Sequence, residues 1–180
     1  LAIAIPTFLG VTGSANDRSA QSNLTNGLTE ASAVYQSNNQ TYSGIQAAVT
    51  AAAPEFTWVA AGTAPTAGSN QLSIGSFDAA TATDQQVVVI AALSKTNTCW
   101  WVAQLATTPA VVPATGFIQH AVGANGAQAV AGVNITTAGT YYAKSAPNDA
   151  ANCKASYIEV PNPGPNFNWG SSYSTAPANA

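Results

Sequence analysis

What most constrains this chain is how it begins. An apolar run, Leu1 to Val11, passes directly into a polar stretch, Thr12 to Tyr35, whose apolar residues keep helical spacing. Leu24, Leu28, Ala31 and Tyr35 recur at offsets of four, three and four, so they share one helix face, while Asn23, Asn26, Thr29 and Ser32 point elsewhere. This pattern predicts a long amphipathic helix over residues 1–38 whose stripe seats on a sheet. Gly10, Gly13 and Gly27 each cost such a helix about 1 kcal/mol relative to alanine, and Pro6 removes an intrahelical hydrogen bond, so a break or loosening is expected near Pro6. A bilayer span needs about 20 apolar residues, roughly twice what Leu1 to Val11 supplies. The run cannot cross a membrane alone, and with no initiator methionine the chain is expected to start partway along, truncated or processed before Leu1.

The rest of the chain reads as β-rich. Beyond Asn38-Asn39-Gln40, residues Ser43 to Ala53 carry an N-cap candidate and the helically spaced pair Ile45 and Val49, and Pro54 stops them. Four strands are predicted next: Phe56-Thr57-Trp58-Val59, Gln71 to Gly75, Gln86 to Ala91 and Cys99 to Leu105. They are expected to form an antiparallel meander. Val87 to Ile90 is apolar on both faces, which predicts a central strand covered by the helix on one side and by loops or a neighbouring subunit on the other. Weak strands at Gly116 to Val122, Gln128 to Ile135 and Thr140 to Ala143 suggest an elaboration over residues 109–153, read as an extra β-layer. Pro161-Asn162-Pro163-Gly164-Pro165 cannot join a ladder, so residues 161–180 form a tail whose Phe167, Trp169 and Tyr173 must dock on the domain or on a neighbour. The expected class is α+β: an N-terminal helix, residues 1–38, packed on an antiparallel sheet within a β-rich head, residues 39–180.

Charge excludes several functions. Only 6% of residues are charged, against roughly 25% in an ordinary domain. Arg18, Lys95, Lys144 and Lys154 are spread along the chain, so no basic patch exists to bind nucleic acid. The net charge of −3 leaves little repulsion between neighbouring copies, which favours assembly. Nor is there a catalytic constellation. His120 is the only histidine, no Gly-x-Ser-x-Gly elbow accompanies it, and Asp17, Glu30, Glu55, Asp78, Asp84, Asp149 and Glu159 stand far apart in sequence. No enzyme and no cofactor are expected.

Ala2-Ile3-Ala4-Ile5-Pro6-Thr7-Phe8-Leu9, followed by Ala15-Asn16-Asp17 and Ser19 to Leu24, resembles the stem helix of type IV pilins and pseudopilins where it leaves the membrane. The resemblance covers roughly the first 40 residues. Ser94-Lys95-Thr96-Asn97-Thr98-Cys99-Trp100 is similar to a strand entry of actinobacterial-type pilins. With the exported character this implies, Cys99 and Cys153, the only cysteines and without a CxxC motif, read as a disulfide, and pilins commonly close a C-terminal loop in this way.

The resemblance implies a structural subunit of an extracellular, cell-surface filament, a helical homopolymer that is anchored in the inner membrane before assembly and handled there by pilus assembly machinery. Leu1, Ile3, Ile5, Pro6, Phe8, Leu9 and Val11 would pack the filament core, and Leu24, Leu28, Ala31 and Tyr35 would hold the helix to the sheet. The alternatives are a pseudopilin of a type II secretion or DNA-uptake system, and a secreted carbohydrate-binding module using Trp58, Trp100, Trp101 and Trp169. Asn148, Asp149 and Asn152 supply oxygens near the disulfide but lack the alternating acidic ligands of a calcium loop, so no metal is expected. Asn23, Asn39 and Asn134 head Asn-x-Thr sequons, and Asn39 and Asn134 are the better glycosylation candidates because Asn23 lies on the stem.

Overall fold

The computed structural model describes residues 4–78, 84–108, 137–145, 150–159, 169–176 and 178–179. Helix α1 spans Ala4–Ser37, 34 residues, or about 51 Å at the usual rise. It passes Pro6, Gly10, Gly13 and Gly27 without interruption, so the break expected near Pro6 is absent. The reason is that proline's fixed φ of about −65° is itself helical, so the ring removes one N–H donor without turning the backbone out of the helix. The helix ends where Asn39 and Gln40 adopt positive φ of 51° and 57°. There Asn38 N donates to Val34 O and Gln40 N to Tyr35 O, satisfying carbonyls of the last turn.

Helix α2 spans Ile45–Ala52 and buries Ile45 and Val49. Its N-cap is Gly44, in a left-handed conformation and without a side-chain cap.

Six strands form one sheet in the order β1 to β6. They are β1 Thr57–Ala60, β2 Gln71–Phe77, β3 Val87–Leu93, β4 Cys99–Leu105, β5 Gly139–Ser145 and β6 Ala178–Asn179. The pairs β2–β3, β3–β4 and β4–β5 are antiparallel. The meander fails at its start: β1 pairs parallel with β2, with Trp58 opposite Leu72. Residues 61–70 separate the two strands, a connection long enough to return the chain to the same end, as a parallel pair requires and a tight hairpin does not. The strand predicted at Thr140 to Ala143 also belongs elsewhere than expected. As β5 it extends the main sheet beside β4, Ala103 facing Tyr141, and is no part of a separate layer. The other strands proposed within residues 109–136 lie outside the described residues.

Period-two alternation sorts the sheet into two covered faces. Leu72, Ile74, Val88, Ile90, Trp100 and Val102 meet α1 and α2 through Ala20, Leu24, Ala31, Val34, Ile45 and Val49. The opposite face presents Phe77, Val87, Val89, Ala91, Trp101 and Ala103 to the segment around Cys153 and to Trp169. Every residue of β3 is buried, as its two-sided apolar sequence predicts. The second face is covered within the chain. Cys99 and Cys153 form a disulfide with Cα atoms 5.3 Å apart, Trp101 Nε1 donates to Lys154 O, Ala155 N to Ser73 Oγ and Ser156 N to Ala61 O. A cross-link over 54 positions stabilises the fold by about 4 kcal/mol in the chain-entropy account.

The tail docks on its own domain. Trp169 is buried on the disulfide face, and Gly170 exchanges backbone hydrogen bonds with Tyr142 of β5. Beyond it, Tyr173 packs on the helix face, edge-on to Trp100 and Tyr142 with ring centroids 5.9 and 4.4 Å away. The C-terminal segment thus passes around the β5 edge and closes both layers.

Candidate assembly interface

α1 lies along the strands, and its fixed points show its direction. Near its middle, Asp17 Oδ1 accepts hydrogen bonds from Ser94 Oγ and Thr96 Oγ1, both at 2.6 Å. These two hydroxyls sit in the β3–β4 turn. Toward the other end of the sheet, Ser32 Oγ donates to Gln104 Oε1 at 2.8 Å and Tyr35 OH to Gln86 Oε1 at 2.8 Å. The helix therefore runs parallel to β4, from the β3–β4 turn toward Gln104. Between Asp17 and Tyr35 it covers about 27 Å, close to the roughly 23 Å length of a seven-residue strand. A Cβ built on Gly13 would still stand 3.8 Å from Thr96 Cγ2 of that turn, so it is residues 4–12 that extend the helix past the β3–β4 turn, by about 13 Å.

The clamp is a polar cluster rather than an apolar contact. Thr96 Oγ1 also lies 3.1 Å from Ser94 Oγ and 3.0 Å from Thr98 Oγ1, and Ser94 is fully buried. A carboxylate accepting two short hydroxyl bonds makes charge-assisted hydrogen bonds, about twice as strong as neutral ones. Asp17 was not singled out by sequence reasoning, although it stands in the stretch that resembles the pilin stem. The signal available was that it is one of only three charged residues in a 34-residue helix.

The apolar run opens this extending segment. Val11 is 70% exposed, the one large apolar side chain so placed among those described. The backbone of Ile5, Pro6, Phe8 and Leu9 is helical, while Leu1 and Ile3 lie outside the described residues. No described helix is long and apolar enough to cross a membrane.

The residues assigned to helix–sheet packing lie on the sheet-facing side of α1. Leu24 and Ala31 are completely buried, and Leu28 and Tyr35 pack partly buried against the same cluster. The stripe is wider than predicted, since Ala20, Gly27 and Val34 are buried too. Tyr42, also missed, lies under the helix end and donates to Gln104 Oε1 at 2.9 Å. Burial, reinforced by Tyr35 and opposed by its Ser32 hydrogen bond, pushes the Tyr42 phenol well above its usual range. Tyr173 is raised likewise, by burial first, with Thr25 opposing and Tyr142 adding.

All four tryptophans are buried, Trp58, Trp100, Trp101 and Trp169 each at 7% exposure or less. They hold the core together and leave no indole platform for a sugar. Asn39 is exposed in the turn after α1, whereas Asn23 is half-buried and its amide donates to Ser69 O. Asn134, His120, Asn148 and Asp149 lie outside the described residues. Among the described residues, no three or more His, Cys, Asp or Glu side chains are grouped to hold a metal ion. No protein-family model, curated protein or solved structure matches this chain.

Proposed function

We propose that this chain is a structural subunit of a type IV pilus-like extracellular filament, assembling through its N-terminal helix. One observation carries the reading: α1 outruns the sheet it packs on by about 13 Å, and the part that outruns it opens with the apolar sequence Ala4 to Val11. Such a segment gains hydrophobic stabilisation only when covered, and bundled copies of the same helix supply that cover. A head with few charges tolerates close neighbours of its own kind. Cys99–Cys153 and the docked tail close the head, so the copies can associate through their stems without the heads exchanging strands.

The assembly pathway that fits is the one the stem resemblance implies, with a membrane-held subunit drawn into a helical homopolymer at the cell surface. A pseudopilin would share this geometry, and it would give only short filaments together with a secretion or DNA-uptake defect. Phe8→Asp or Leu9→Asp is expected to abolish filaments in the fraction sheared from cells, as seen by electron microscopy, while the head keeps its disulfide and its circular dichroism. Normal filaments from either variant would overturn the stem assignment.

A further inference from the structure

α1 carries three charged side chains, and only one of them is used within the fold. Asp17 is taken up by Ser94 and Thr96. Arg18 is exposed and Glu30 partly exposed, and neither has an ion-pair or hydrogen-bond partner among the described residues. In a chain with only four cationic and seven acidic residues, two opposite charges without partners on the same helix call for an explanation.

Their placement is informative. They stand twelve positions apart, which is about 18 Å along the axis and roughly 120° around it. That separation is too great for them to reach each other. Measured from the face that Ala20, Leu24, Gly27 and Ala31 bury, Arg18 points roughly 150° one way and Glu30 roughly 90° the other. Both therefore flank the side of the helix turned from its own sheet. An open filament repeats one heterologous contact, in which two different patches of the same molecule meet. Opposite charges at different heights and on different sides of one helix satisfy that requirement.

Resting on the filament reading above, we propose that Arg18 of one copy pairs with Glu30 of an adjacent parallel copy, setting their axial stagger near 18 Å. A single exposed ion pair adds little strength. Between packed stems the pair is shielded from water and recurs at every subunit, and registers that oppose like charges are disfavoured, so it selects register. The test is charge exchange in the full chain in its own cells. Arg18→Glu and Glu30→Arg are each expected to lower filament yield about tenfold by setting like charges against each other, and the double variant R18E/E30R is expected to restore it. The retained Cys99–Cys153 disulfide and circular dichroism of the head report folding in each case. Wild-type filaments alongside unimpaired single variants, or a double variant no better than the singles, would overturn the pairing and leave the filament reading standing. Absence of filaments from the wild type would overturn both.

Discussion

A Cβ built on Gly27 would stand 2.8 Å from Leu72 Cδ1 and 3.1 Å from Trp58 Cη2. In sequence terms this glycine is a defect in a helix, costing about 1 kcal/mol relative to alanine. In the fold it faces side chains of β1 and β2 across a gap with no space for a methyl group, and both neighbours are buried with little room to give. Overpacking of this kind costs typically 1–3 kcal/mol, which exceeds the propensity gain. Gly27→Ala is therefore expected to destabilise the protein by about 1 kcal/mol, measured by denaturant unfolding. A stabilised variant would show that helix propensity outweighs the contact. Residue-scale meaning was thus only half legible. Leu24 and Ala31 announce their burial through spacing, but nothing in the sequence says that the glycine between them faces Trp58, because the contact joins residues 31 positions apart.

Between elements, the Asp17 clamp divides α1 into a part seated on the sheet and a part that extends past it. Replacing Asp17 with alanine leaves the buried Ser94 hydroxyl without its acceptor and removes a hydrogen bond to a charged group, worth about 1.5–3 kcal/mol. The expected result is faster amide exchange in the α1 turns around Asp17 and in the β3–β4 turn, with the far end near Gln104 protected as before. Uniform loss of protection along the whole helix would mean that the clamp is not a separate hinge point. Helix α1 and strands β1 to β4 could be read from periodicity and apolar runs, since those signals are local. The parallel pairing of β1 and the membership of β5 in the main sheet could not, because a strand's pattern of apolar residues gives its faces but not its neighbours. The ten-residue span of 61–70 was the one hint that β1 and β2 are not a hairpin.

For the whole molecule, the two covered faces bring tyrosines into the interior and couple stability to alkaline pH. Tyr42 and Tyr173 have folded-state pKa values raised above their ordinary value, chiefly by burial. Below a pH of about 10 both the folded and unfolded chains keep these protons, so the stabilising contribution is intact. Above it the unfolded chain releases protons that the folded chain retains, and stability falls by up to about 1.4 kcal/mol per pH unit for each phenol. Phenolate absorbance is expected to show these two groups ionising together with loss of circular dichroism. Their ionisation alongside exposed tyrosines in a still-folded protein would refute the account. From the linear chain alone one can derive a long amphipathic helix, a two-sided central strand, a nearly chargeless surface and a cysteine pair, because each depends on residue type and short-range spacing. Which strands are neighbours, how the disulfide segment and Trp169 cover the second face, and where Asp17 finds its hydroxyls depend on how distant segments compete for the same buried surface. That competition is resolved only when the layers pack in three dimensions.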